Sequence, residues 1–147
     1  MGKINIGKLM LAAVLFLVIA QIIHSLCAFC GMCYYIDPTY CQVWSKIMMP
    51  IPGPPPASFM LYSILFNFIT GLLFSLVYVI IKSGIPGTSN IKKGLMYGLF
   101  VFLVAGIPGS LGLILLINLP LCLISLWLVE GLIIDLLGGI IVASINR

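Results

Sequence analysis

The chain has 147 residues, of which 63 % are hydrophobic and only 7 % charged. A soluble domain carries roughly 25 % charged residues, so seven Lys/Arg and three Asp/Glu cannot cover a surface that faces water. Net charge is +4, but the cations are scattered and form no basic stripe, which argues against nucleic acid as a partner and makes the bilayer the expected solvent.

The first apolar run, Leu9 to Phe29, follows Lys3 and Lys8. About 20 apolar residues are needed to cross a hydrocarbon core of roughly 30 Å, and this run suffices. It exceeds the roughly 7–15 residues of a signal-peptide core, and no clean small-x-small site follows. A retained span is therefore expected over about residues 9–29.

Residues 30–57 differ in character. They carry Tyr34, Tyr35, Asp37, Tyr40, Trp44 and Lys46, and they end in a proline run from Pro50 to Pro56. Prolines at that density exclude a regular helix and favour extended chain. Amphipathic rings settle at the membrane–water interface. The expectation is an external loop close to the headgroups, with a short interfacial helix around Tyr40 to Met48.

The second span covers about residues 58–81 and stops at the turn-forming stretch from Lys82 to Asn90. The third covers about 94–118, after Lys92 and Lys93, and is interrupted by Pro108-Gly109. That dipeptide leaves two readings. Either the helix kinks and continues, or it breaks and leaves Ser110 to Leu119 as a re-entrant piece. The fourth span, about 120–145, opens at Pro120, since proline suits the first turn of a helix. The chain is thus expected to be one all-α transmembrane domain, a four-helix bundle.

Lys3, Lys8, Lys82, Lys92, Lys93 and Arg147 fall on one side of such a bundle, and Lys46 alone on the other. Positive loops remain in the cytoplasm. Both termini are therefore expected inside, in the cytoplasmic membrane of a prokaryote. Small residues recur at helical spacing: Asn67, Gly71 and Ser75 in the second span; Gly94, Gly98, Ala105 and Gly112 in the third; Gly131, Asp135 and Gly139 in the fourth. Because lipid gives no hydrophobic drive for association, such stripes are where helices approach closely. They predict packing within the bundle or a seam between copies.

Ionisable groups at membrane depth are costly and mark function by default. Counting ~1.5 Å per residue, Glu130 lies ~15 Å from the outer end of its span, Asn67 ~14 Å and Gln21 ~12 Å. His24 is one turn from Gln21 on the same face. Gln21, His24, Asn67 and Glu130 are thus expected to form one polar layer, acting either as a hydrogen-bonded clamp with a neutral Glu130 or as a proton or solute site. Asp135 lies closer to the cytoplasm, within expected reach of Lys82 or Lys92.

Four of the five cysteines cluster at residues 27, 30, 33 and 41, and Cys122 opens the fourth span. All fall near the outer face, where disulfides are permitted, and Cys33 with Cys41 is the pairing expected for a stabilising bridge. Cys30-Gly-Met-Cys33 directly after a span resembles the arrangement in four-helix thiol oxidoreductases of the DsbB and vitamin K epoxide reductase type. That resemblance implies Cys30 and Cys33 as catalytic thiols and a quinone as electron acceptor. Those proteins carry a second pair in the other external loop, where this chain offers only Cys122. The run Cys27, Cys30, Cys33, Asp37 also mimics a ferredoxin pattern with Asp in place of the fourth Cys, but no metal site is expected from it.

No Walker loop, dinucleotide fingerprint, zincin or nucleophile-elbow motif is present. One histidine excludes a His-based metal site within one copy. The expected role is a structural or accessory subunit of a membrane complex, or a homo-oligomer. The thiol oxidoreductase and a pathway centred on Glu130 are the alternatives.

Overall fold

A computed structural model describes residues 5–39 and 56–147. The expected interfacial helix around Tyr40 to Met48 and the proline run up to Pro55 lie outside the described residues. In hydrocarbon every backbone N–H and C=O must be satisfied within the segment, and the long aliphatic runs accordingly form helices. α1 is Ile6–Cys30, followed at once by the short α2, Met32–Ile36. α3 is Ala57–Ile81. α4, Asn90–Val101, runs through one π-helical turn, Phe102–Gly106, into α5, Ile107–Leu116. α6 is Leu121–Ile145. The described residues contain helices and no strand. Four helical rods, with α4 to α5 counted as one, are long and apolar enough to cross a membrane.

Local chemistry sets the ends. The Asn5 side chain accepts from the Lys8 amide, and Ser89 accepts from the Lys92 amide, each satisfying an amide that the first turn leaves unpaired. α3 and α6 begin immediately after Pro56 and Pro120. Proline restrains its own backbone and biases its predecessor away from helix, so each start is sharp.

The third span does not break at Pro108. Proline lacks the amide that would bond the carbonyl four residues back, and its ring would strike that carbonyl. The wide turn at Phe102–Gly106 absorbs the misfit directly before Pro108, and α5 continues to Leu116. Of the two sequence readings, the continuous helix is the one observed. A π turn inserts one residue, which rotates everything beyond it by roughly 100°. The small-residue stripe is divided as a result. A methyl group on Gly94 would meet the Gly139 carbonyl oxygen at 2.6 Å, and one on Gly98 would meet the Asp135 carbonyl carbon at 2.6 Å. Gly112 has nothing within 4 Å, and Ala105 is exposed. Gly131 in α6 also faces open space. The expectation that whole stripes face one another therefore holds for Gly71, Gly94, Gly98 and Gly139 and not for Ala105, Gly112 or Gly131.

α6 is the central rod. It packs along α4 on one side and α1 on the other, and α1 in turn packs along α3. Gly71 lets α3 close on α1, where a methyl would meet Ala13 backbone at 2.9 Å. The main core lies in the half of the bundle that holds the termini. Phe16, Phe74, Tyr78, Tyr97, Ile134 and Val142 are its principal buried side chains. Phe74 and Tyr78 each meet the Tyr97 ring edge-on, at 4.7 and 5.3 Å, and the Tyr97 hydroxyl donates to the Phe74 carbonyl at 2.7 Å. A second cluster caps the opposite, loop end: Leu119, Leu123 and Ile124 pack with Tyr34, Tyr35, Leu113, Ile117 and Trp127.

Candidate functional site

α1, α3 and α6 line a partly open cavity of about 400 Å³ in the loop-end half, which α2 borders through Tyr35. α1 contributes Gln21, His24, Ser25 and Cys27, spaced so that one helical face points inward. α3 contributes Phe59, Met60 and Ser63, and α6 contributes Trp127 and Glu130, one turn apart.

The polar groups of this region are linked to one another. His24 Nδ1 pairs with Glu130 Oε1, joining α1 to α6. The Glu130 side chain is 10 % exposed and that of His24 42 %, so the carboxylate is enclosed while the imidazole meets the cavity. Gln21 Oε1 accepts from Ser63 Oγ and from Asn67 Nδ2, each at 3.4 Å, which joins α1 to α3. Asn67 is also within interaction range of His24, and the Cys27 thiol within that of Glu130. At the rim, Trp127 Nε1 donates to the Tyr35 hydroxyl at 3.2 Å. Gly31, the residue between α1 and α2, lies against Leu126, where an added methyl would come within 3.1 Å. That close approach holds α2 over the start of α6.

Gln21, His24, Asn67 and Glu130 therefore lie together at one depth. Asp135 does not join them. Five residues beyond Glu130 it has turned by roughly 140°, and its backbone lies against Gly98 of α4. Nor does it pair with a lysine. Lys82 Nζ donates to the Asn146 carbonyl at 2.8 Å, and among the described residues no ion pair forms on Asp135. Asn146 carries the polar chemistry at the termini end, donating to Ser75 Oγ at 3.0 Å and to the Val142 carbonyl at 2.9 Å.

Cys30 and Cys33 are exposed free thiols at the junction of α1 and α2, outside the cavity lining, and Cys122 is a third. Cys27 is the buried one. The expected Cys33–Cys41 bridge involves a residue outside the described set. Among the described residues no group of three His, Cys, Asp or Glu is arranged to hold a metal ion.

Trp127, Tyr35 and Cys27 were not among the expected layer residues. Trp127 had a usable signal, since it precedes Glu130 by three residues and so shares its face. Tyr35 had none, because it reaches the site from α2, beyond the end of α1 at Gly31.

Chemically, the site is a hydrogen-bonded imidazole–carboxyl pair flanked by amides and aromatic rings. It ends blindly. Toward the termini, Ala20 and Phe16 are buried, the Phe16 and Phe74 ring centroids lie 5.2 Å apart, and Gly138 is tucked under the Phe16 ring. No protein-family model matches the chain, and neither a curated protein nor a solved structure matches it.

Proposed function

We propose that the protein is a membrane-embedded binding protein that takes a small amphiphilic molecule into the cavity between α1, α3 and α6. One observation carries this reading: a nearly enclosed carboxylate at membrane depth, paired to a half-exposed histidine that meets a cavity of about 400 Å³. Ligand sites are typically concave, mostly apolar and fitted with a few convergent polar groups. A clamp alone needs no cavity. The packed Phe16 and Phe74 rings on the termini side weigh against a conducting path. Lys8, Lys82, Lys92, Lys93 and Arg147 lie toward the end opposite the cavity, which supports a cytoplasmic location for that end and an outward-facing mouth.

The test is extraction of the protein with its surrounding lipid, followed by mass spectrometry of small molecules. Wild type should retain a molecule near one-to-one that Ser63→Leu, which fills the cavity, loses. The same molecules on both proteins would refute a binding role.

A second reading, an accessory subunit of a membrane complex, has its own support. No residue of α5 is buried, and Leu115 and Leu116 are 84 % and 81 % exposed. Lipid covers such a face adequately, but so does a partner helix. Purification from native membranes in mild detergent should then yield a second protein at constant stoichiometry. Recovery of this chain alone would remove that reading.

A further inference from the structure

The lining of the cavity defines the charge of what it takes. Its carboxyl and imidazole groups are Glu130 and His24, beside the Cys27 thiol and the Tyr35 phenol, and among the described residues no lysine or arginine borders it. An anionic ligand would face the Glu130 carboxylate with no lysine or arginine in the described lining to offset it. A cation finds that carboxylate together with the rings of Trp127, Tyr35 and Phe59 in one cavity. The Trp127 N–H is already engaged by the Tyr35 hydroxyl, which leaves the indole π-face as its remaining means of polar recognition. Aromatic faces attract cations, most strongly where water is excluded.

We propose that the cavity selects a lipophilic organic ammonium ion and that one proton leaves for each monovalent cation bound. This rests on the reading of the cavity as a binding site. The exchange balances simply. A net charge at membrane depth is costly, and we therefore take the pair as net neutral. It is then imidazolium with carboxylate or imidazole with carboxylic acid, which is one proton more than neutral imidazole plus carboxylate. An ammonium ion that takes over Glu130 leaves a carboxylate paired to the ligand, a neutral imidazole and a free proton, so total charge is unchanged. The other groups facing Glu130 from packed elements are the Cys27 thiol of α1 and the Tyr35 phenol of α2. α3 supplies only the uncharged Ser63 and Asn67, and Asp135 lies on another face of α6. No second carboxylate therefore competes for the cation in the cavity.

The experiment uses the full chain in lipid nanodiscs with three probes: benzyltrimethylammonium, its neutral isostere neopentylbenzene, and benzenesulfonate. Titration calorimetry in buffers of different ionisation enthalpy counts protons. The expected result is a preference for the ammonium of at least about tenfold, with about one proton released per cation. Glu130→Gln, which keeps an acceptor for His24, should abolish both effects without loss of fold. Trp127→Leu should weaken the ammonium by roughly 2- to 30-fold. Equal binding of charged and neutral probes, or ammonium binding without proton release, overturns the cation–proton exchange and leaves a binding cavity standing. Failure of all three probes to bind counts against the cavity reading as well.

Discussion

Substituting alanine for Gly98 and for Gly112 tests the packing of the bundle most directly, because the two glycines are chemically equivalent on the sequence and opposite in the structure. At Gly98 the added methyl would meet the Asp135 carbonyl carbon at 2.6 Å and Leu136 Cα at 2.9 Å. Both are backbone atoms, so α4 must move off α6. At Gly112 the methyl meets nothing within 4 Å. Each substitution gains about 1 kcal/mol of helix propensity, and this cancels between them. The difference is then the overpacking cost, about 1–3 kcal/mol. At about 4 °C per kcal/mol for a chain of this size, Gly98→Ala should melt roughly 4–12 °C below Gly112→Ala. Thermal unfolding in one detergent, followed by circular dichroism, reads this out. Coincident midpoints would mean that α4 and α6 are not in backbone contact, and the rotation assigned to the π turn would fall with that contact.

Three further outcomes follow from specific bonds. Asn146→Ala removes the donor to Ser75 Oγ, whose residue is fully buried, and should cost about 1–3 kcal/mol, measured by the same melts. Tyr97→Phe deletes the hydroxyl that reaches the Phe74 carbonyl but keeps both ring contacts. It should cost only about 1 kcal/mol, and a larger loss would show that the hydroxyl does more than bond that carbonyl. At the loop end, the Thr39 amide donates to Asp37 Oδ1 at 2.8 Å and holds the exposed Asp37 carboxyl below its usual range. A depressed carboxyl contributes its stabilisation above the unfolded value of about 3.9 and loses it as pH falls through the lower folded value. The Thr39 amide resonance should therefore titrate below pH 4 in wild type and not in Asp37→Asn.

How far the sequence reaches is clearest along the membrane normal. Apolar run length locates four spans, and a rise of about 1.5 Å per residue brings Gln21, His24, Asn67 and Glu130 to one depth, because both are local properties of a helix. Direction around each helix axis is another matter. In water, polarity marks the outward face; in lipid both faces are apolar, so periodicity does not distinguish neighbour from solvent. Only the tertiary structure decides that Gly98 is a contact and Gly112 is not, that Asp135 turns away from Glu130, and that Phe16 packs against Phe74 and Gly138. The π turn before Pro108 is part of the same limit: one inserted residue preserves length and hydropathy while rotating half a helix. Tyr35 and Trp127 meet across the break between α1 and α2 at Gly31, between residues 92 positions apart. The depth of the site is therefore written in the sequence, whereas its walls depend on how four apolar rods rotate against one another.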